Sequence, residues 1–342
     1  MPPRIVCFGE LLLRLSAPGR ETWLQSPRLD VRVGGAEANV AVSLARFGHA
    51  VEYLGVVSDN PLGDAALGEL RRHGVRVERV HRAPGRMGLY FLAQGAGLRP
   101  GEVLYDRADS SFARSGADAY DWPTLLHGVA CLHVSGVTPA LGVRTAEAAI
   151  AAVRSARAAG AKVSFDGNFR AKLWAAWDGR PADILSSLLR ETDIAFADHR
   201  DIAVILGEDD ANASPEEPGA RFAVAAGRAF AAFPRLERIA TTVRTQYSVD
   251  NHAMSALLAT RDGTLHATPT TPLSGIVDRI GAGDAFAAGV LHGLLSGRSD
   301  ADSLHFGLAA ACLKHSIPGD FNLVGEDDVV AVVRNDRLDV KR

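Results

Sequence analysis

The segment "GIVDRIGAGDAFAAGVLHGLL", Gly275 to Leu295, places two glycines and a carboxylate where helical periodicity begins. A helix start exposes unpaired N–H groups and a partial positive pole, so it attracts anions. Gly281 and Gly283 permit close backbone approach around Ala282, and Asp284 is placed to take the proton from an attacking hydroxyl. Those are the requirements of phosphoryl transfer. An ordinary glycine turn with Asp284 as N-cap explains the same four residues equally well.

Four further segments carry polar groups in patterns that suit a ligand. In "VGGAEANVAVSLARFG", Gly34 and Gly35 would let a polyol lie against backbone while Asn39 bonds a hydroxyl; a plain turn competes. In "LYDRADSSFA", Tyr105 and Arg107 are two apart and share a face on a strand. A guanidinium there suits a carboxylate or phosphate, against the alternative of a solvated arginine. "FDGNFRAKLW" gathers Asp166, Asn168, Arg170 and Lys172 at a strand end, where two cations and an amide fit ATP phosphates or an acidic substrate. "ADHRD" offers Asp198 and Asp201, which would hold Mg²⁺ through water or form a surface acidic pair. The histidines, His127 and His133 among them, show no zinc spacing. Neither a P-loop nor a dinucleotide G-x-G-x-x-G after the first strand is present, which disfavours P-loop enzymes and Rossmann dehydrogenases.

The elements that must position these groups alternate. "RIVCFGELLLRLS" reads as one buried strand continuing past Glu10, and "VGGAEANVAVSLARFG" as a helix stopped by Gly48. "AVEYLGVV" is a strand, "PLGDAALGELRRHGV" a helix and "VERVHRA" a strand. From "VACLHVSG" onward strands and helices alternate again, closing with helices near Gly283–Ser296 and Ser303–His315. The pattern predicts an α/β fold with a mostly parallel central sheet flanked by helices. Residues from Pro84 to Ala113 alternate apolar and polar and are broken by Gly and Pro, predicting a β-hairpin lid. Ligands in such folds bind at the carboxyl ends of strands, where these segments fall.

Bulk properties bound the partners. The 342 residues are 47% hydrophobic and 23% charged, with a formal charge of -3 and a pI near 6.4. Nothing there points to nucleic acid or an anionic membrane. The apolar runs end well short of the roughly 20 residues a membrane span needs. The start of the chain lacks a signal-peptide pattern. Cys7, Cys131 and Cys312 lie far apart in apolar runs, which predicts reduced thiols and a cytoplasmic protein.

Taken in order, "GGAEANVAVSLARFG" and "DRIGAGDAFAAGVLHGL" resemble the two signatures of the ribokinase-like (PfkB) carbohydrate kinases, at the family's separation and over essentially the whole chain. Within the family, "LYDRADSSFA", "FDGNFRAKLW" and "KHSIPGDFN" resemble the group acting on 2-keto-3-deoxygluconate. The resemblance implies one ribokinase-like domain over 1–342, with a lid from about 10–33 and 84–113. It implies Asp284 as catalytic base and Gly281, Ala282 and Gly283 as anion hole. Gly34, Gly35, Asn39, Tyr90, Tyr105, Arg107, Arg170 and Asp278 would contact substrate, with Arg107 on its carboxylate. Asn168, Arg170, Gly281 and Gly283 would approach ATP, and Asp198 and Asp201 would hold Mg²⁺ through water. The implied reaction phosphorylates the terminal hydroxyl of 2-keto-3-deoxygluconate. Kinases of fructose, ribose or another keto-deoxy acid are the alternatives, as is a silent sugar- or nucleotide-binding protein. A homodimer through the lid, or a higher homo-oligomer, is also implied.

Three departures stand out. Asp198-His199-Arg200-Asp201 occupies the place of the family's Asn-x-x-Glu, and "TTVRTQYSVDN" replaces its glycine-containing nucleotide stretch. Members that bind K⁺ near the anion hole often read Asp-Thr-Thr where this chain reads Asp278-Arg279-Ile280, so Arg279 is expected to supply the positive charge.

Overall fold

The computed structural model describes residues 3–208 and 217–334. The first half contributes β1 (Arg4–Phe8), β2 (Leu12–Ser16), β3 (Asp30–Gly34), β4 (Ala50–Leu54), β5 (Val56–Ser58), β6 (His81–Ala83), β7 (Gly88–Ala93) and β8 (Glu102–Asp106). The second contributes β9 (Val129–Ser135), β10 (Lys162–Asp166), β11 (Ile194–Phe196), β12 (Arg238–Gln246), β13 (Asn251–Thr260), β14 (Leu265–Ala267) and β15 (Thr271–Ser274). Nine strands form the main sheet in the order β14-β13-β12-β11-β10-β9-β1-β4, with β15 beside β13. From β4 to β12 the pairing is parallel; β13, β14 and β15 add an antiparallel margin.

β1 shows why the sheet needs helices on both faces. Val6 and Phe8 point into one apolar core, with Leu132, Phe165 and the helix Val143–Ala158. Ile5 and Cys7 point into the other, with Leu44, Phe286 and Phe306. Period-two alternation with both sides apolar is the mark of a doubly covered parallel strand.

β3-β2-β7-β8 make a separate four-stranded sheet over one end of the main sheet. The expected hairpin is its β7–β8 pair, in antiparallel register from Leu89 opposite Asp106 to Ala93 opposite Glu102. The expectation of one strand through "RIVCFGELLLRLS" is corrected: β1 and β2 belong to different sheets. The chain crosses between them at Gly9-Glu10-Leu11, where a Cβ on Gly9 would lie 2.1 Å from the Glu37 carboxylate. "AVEYLGVV" likewise divides at Gly55 into β4 and β5, and β5 pairs with β6 instead of joining the main sheet. Among the described residues no helix is long and apolar enough to cross a membrane. Cys7, Cys131 and Cys312 are free thiols.

Candidate active site

A cavity of about 810 Å³ lies between the small sheet and the loops that follow the main-sheet strands. The small sheet contributes Leu12, Tyr90, Val103 and Tyr105, and the main sheet contributes Asp166, Phe196 and Thr241. The helix Ala282–Leu295 points its N-terminus at this space, presenting Gly281, Gly283 and Asp284.

Asp284 is not the N-cap. Gly281 holds that position with φ 81, and Asp284 sits three residues into the chain beyond it. Its carboxylate makes no capping bond at the helix start and accepts a 2.6 Å hydrogen bond from Asn39 Nδ2. Burial pushes the Asp284 pKa up to about 7, against the pull of Asn39 and Arg170. A carboxyl poised near neutral pH, fixed by an amide and facing a cavity, is built to exchange a proton. Asn39 therefore holds this carboxyl as well as lining the cavity, and among the described residues its Oδ1 is a buried acceptor without a partner.

The turn itself requires glycine. A Cβ on Gly281 would lie 2.0 Å from the Asp320 carbonyl oxygen, and the left-handed φ disfavours any other residue. Ala282, by contrast, is buried in the first helical turn and lines no part of the cavity.

Asp278 and Gly34, expected at the substrate, do not line the cavity. Asp278 is buried behind the turn. It pairs with Arg14 at 2.7 Å and accepts from Ile280 N at 3.0 Å and Gly319 N at 2.9 Å, so it braces the loop. Gly34 backs onto the Asp320 carboxylate, which would lie 2.2 Å from a Cβ there. Gly35 does reach the cavity. Tyr90 lines it too, with its hydroxyl donating to Asp320 at 2.7 Å.

Arg107 reaches the cavity in a different state from the one expected. β8 ends at Asp106, so Tyr105 and Arg107 do not share a strand face. Arg107 is buried, and its Nε donates to Glu10 Oε2 at 2.6 Å. The second Glu10 oxygen accepts from Ser110. Asn168, in the left-handed region at φ 39, and Arg170 line the wall beyond Asp166. Lys172 is exposed and lies off the cavity.

Asp198 and Asp201 line the cavity as the capping box of the helix His199–Leu206. Asp198 accepts from Arg200 N at 2.8 Å and Arg200 Nε at 2.9 Å, while Asp201 accepts from Phe169 N and Asp198 N. Every oxygen of the pair already takes a hydrogen bond, so a divalent ion fits them through water. Burial and the neighbouring Asp198 push Asp201 up to about 6. Burial, with Asp284 and Asp201, pushes Asp166 well above the carboxylate range. Among the described residues no three ligating side chains form a metal cluster.

Arg244 and Arg279 also line the cavity. Among the described residues neither guanidinium makes an ion pair. Burial and the charge of Arg279 lower the Arg244 pKa, as for two cations held together without an anion. Arg244 was not singled out from the sequence. Glu10, Arg14, Lys314 and Asp320 were also missed, although charged residues inside the apolar run "FGELLLRLS" were a signal for the first two.

The model of the pfkB family of carbohydrate kinases matches residues 2–322. A 2-dehydro-3-deoxygalactonokinase of Haloferax volcanii is 33% identical, over 100% of both chains. A 2-dehydro-3-deoxygluconokinase of Bacillus subtilis is 29% identical, over 93% of this chain and 91% of that one. The crystal structure of 2-dehydro-3-deoxygluconokinase from Thermotoga maritima superposes with a TM-score of 0.89 at 34% identity, covering 97% of this chain and 99% of that one. The chain belongs to the pfkB family of carbohydrate kinases. It is an ATP-dependent sugar kinase, related within that family to the sugar-acid kinases.

Proposed function

We propose that the protein transfers the γ-phosphoryl group of ATP to the terminal primary hydroxyl of 2-keto-3-deoxygluconate, giving the 6-phospho product. The observation that carries this reading is the buried Asp284 carboxylate, held by Asn39 beside a glycine turn in a cavity also lined by Arg244 and Arg279, which among the described residues make no ion pair. Asp284 takes the hydroxyl proton, and the Gly281–Gly283 amides receive the transferring group. Arg244, Arg279 and Arg170 bind the nucleotide phosphates. Asp198 and Asp201 would hold Mg²⁺ through water, and the ion supplies charge neutralisation on those phosphates. The small sheet acts as the lid, excluding water from the transfer. With Nε committed to Glu10, the terminal nitrogens of Arg107 remain to take the sugar-acid carboxylate. Val31 and Leu104, exposed on the small sheet, support its pairing with a second copy in a homodimer.

The galactonate epimer is a second reading, favoured by the full-length similarity to the Haloferax volcanii enzyme. ADP release with ATP and Mg²⁺ distinguishes the two, run on both epimers, fructose, ribose and adenosine. Turnover with the gluconate-derived acid above all others is expected. Preference for the galactonate epimer replaces the substrate, and preference for a neutral sugar removes the role of Arg107. Silence throughout overturns the catalytic reading.

A further inference from the structure

Against the Gly281–Gly283 turn lies a buried group of charges, Arg14, Asp278 and Asp320, of which only Asp320 reaches the cavity lining. Arg14 spans Asp278 at 2.7 Å and Asp320 at 3.0 Å, with all three side chains almost fully enclosed. One guanidinium against two carboxylates leaves this group net negative, at the back of a turn that must receive an anion. An uncompensated buried charge is costly, and its field opposes any phosphoryl oxygen bound on the other side.

Lys314 ends the helix Asp300–Lys314 and is wholly buried. Its Nζ donates to Ile317 O at 2.9 Å and lies 3.4 Å from Asp278 O. Its Cε lies 3.4 Å from where a Cβ on Gly281 would stand. Burial holds its pKa down to about 8, opposed by Asp278 and Asp320, so the ammonium form still prevails at neutral pH. Arg279, by contrast, opens into the cavity.

We propose that Lys314 is a positioning residue for phosphoryl transfer. It is a fixed cation that neutralises the Arg14–Asp278–Asp320 group and braces the anion-binding turn from behind, making a dissolved monovalent cation unnecessary there. The inference rests on the kinase reading above and assigns to Lys314 the charge expected of Arg279. Removing the side chain leaves carbonyl oxygens and a net negative surrounding, which a small ammonium ion would fill.

The test begins with the unaltered enzyme, titrated with KCl, NH₄Cl and choline chloride at constant ionic strength. Turnover is expected to change by less than about twofold between salts, whereas activation by K⁺ of about tenfold or more overturns the proposal. Lys314→Met removes the charge at similar volume and is expected to lower kcat roughly 10- to 100-fold while KM for the sugar stays within about threefold. Lys314→Ala should lose as much and regain at least about fivefold with NH₄Cl or methylammonium chloride, but not with choline. A Met variant with unaltered kcat overturns the proposal. So does an Ala variant that melts cooperatively yet gains nothing from ammonium salts, because a merely structural lysine predicts that result. If neither variant folds, the salt response of the unaltered enzyme decides. Absence of turnover in that enzyme with every sugar strikes instead at the kinase reading.

Discussion

Replacing Asp284 by Asn should abolish turnover and at the same time stabilise the fold, by an amount that depends on pH. The carboxyl has a pKa near 3.8 when exposed and about 7 in the folded protein, chiefly because it is buried. Below the lower value it is protonated in both states and contributes nothing. Between the two, the folded chain keeps the proton and the unfolded chain releases it, so stability falls as pH rises. Above 7 the charge is present in both states and the cost is complete. A difference of about 3 pKa units corresponds to about 4 kcal/mol at most. For a chain of this length that is roughly 5 °C in Tm. Asparagine keeps the shape and still accepts from Asn39, so the variant escapes the cost. Its Tm should match that of the unaltered protein near pH 4 and exceed it by roughly 5 °C at pH 8, with kcat reduced by several orders of magnitude. Melting scans across that range and coupled ADP release measure the two effects. In the unaltered enzyme kcat/KM should fall as pH drops below about 7, as the base becomes protonated. Near-normal turnover in Asp284→Asn, or a Tm difference that does not grow with pH, refutes the reasoning.

Arg244→Ala relieves the repulsion from Arg279 and deletes a phosphate ligand. KM for ATP should rise roughly 10- to 100-fold, as expected for charge-assisted hydrogen bonds, with melting temperature unchanged or higher. An unaltered KM for ATP would remove Arg244 from the nucleotide site. Gly281→Ala must place a Cβ 2.0 Å from the Asp320 carbonyl at a left-handed φ of 81. A loss of at least about 2 kcal/mol in urea titration, with activity lost as well, is expected from the conformational strain and the clash together; unaltered stability would show that the turn relaxes freely.

What the sequence determined by itself was local. The alternation of strand and helix, the β7–β8 hairpin and the two glycine-rich segments follow from periodicity and turn chemistry within a few residues of each other. They were enough to indicate an anion-binding helix start with a carboxylate beside it. They did not show how that carboxylate is oriented, because its partner Asn39 lies 245 residues away. The Glu10–Arg107 pair spans 97 residues and the Arg14–Asp320 pair 306, and neither leaves a trace in local pattern. The expectation that Tyr105 and Arg107 share a strand face failed for a related reason: β8 stops one residue before Arg107, and propensity does not fix where a strand ends. Asp278 was misplaced because its neighbours in sequence face the cavity while its own carboxylate turns back onto Arg14. Tertiary structure decided these points because a buried charge must find its counter-charge wherever the fold brings one, irrespective of distance along the chain.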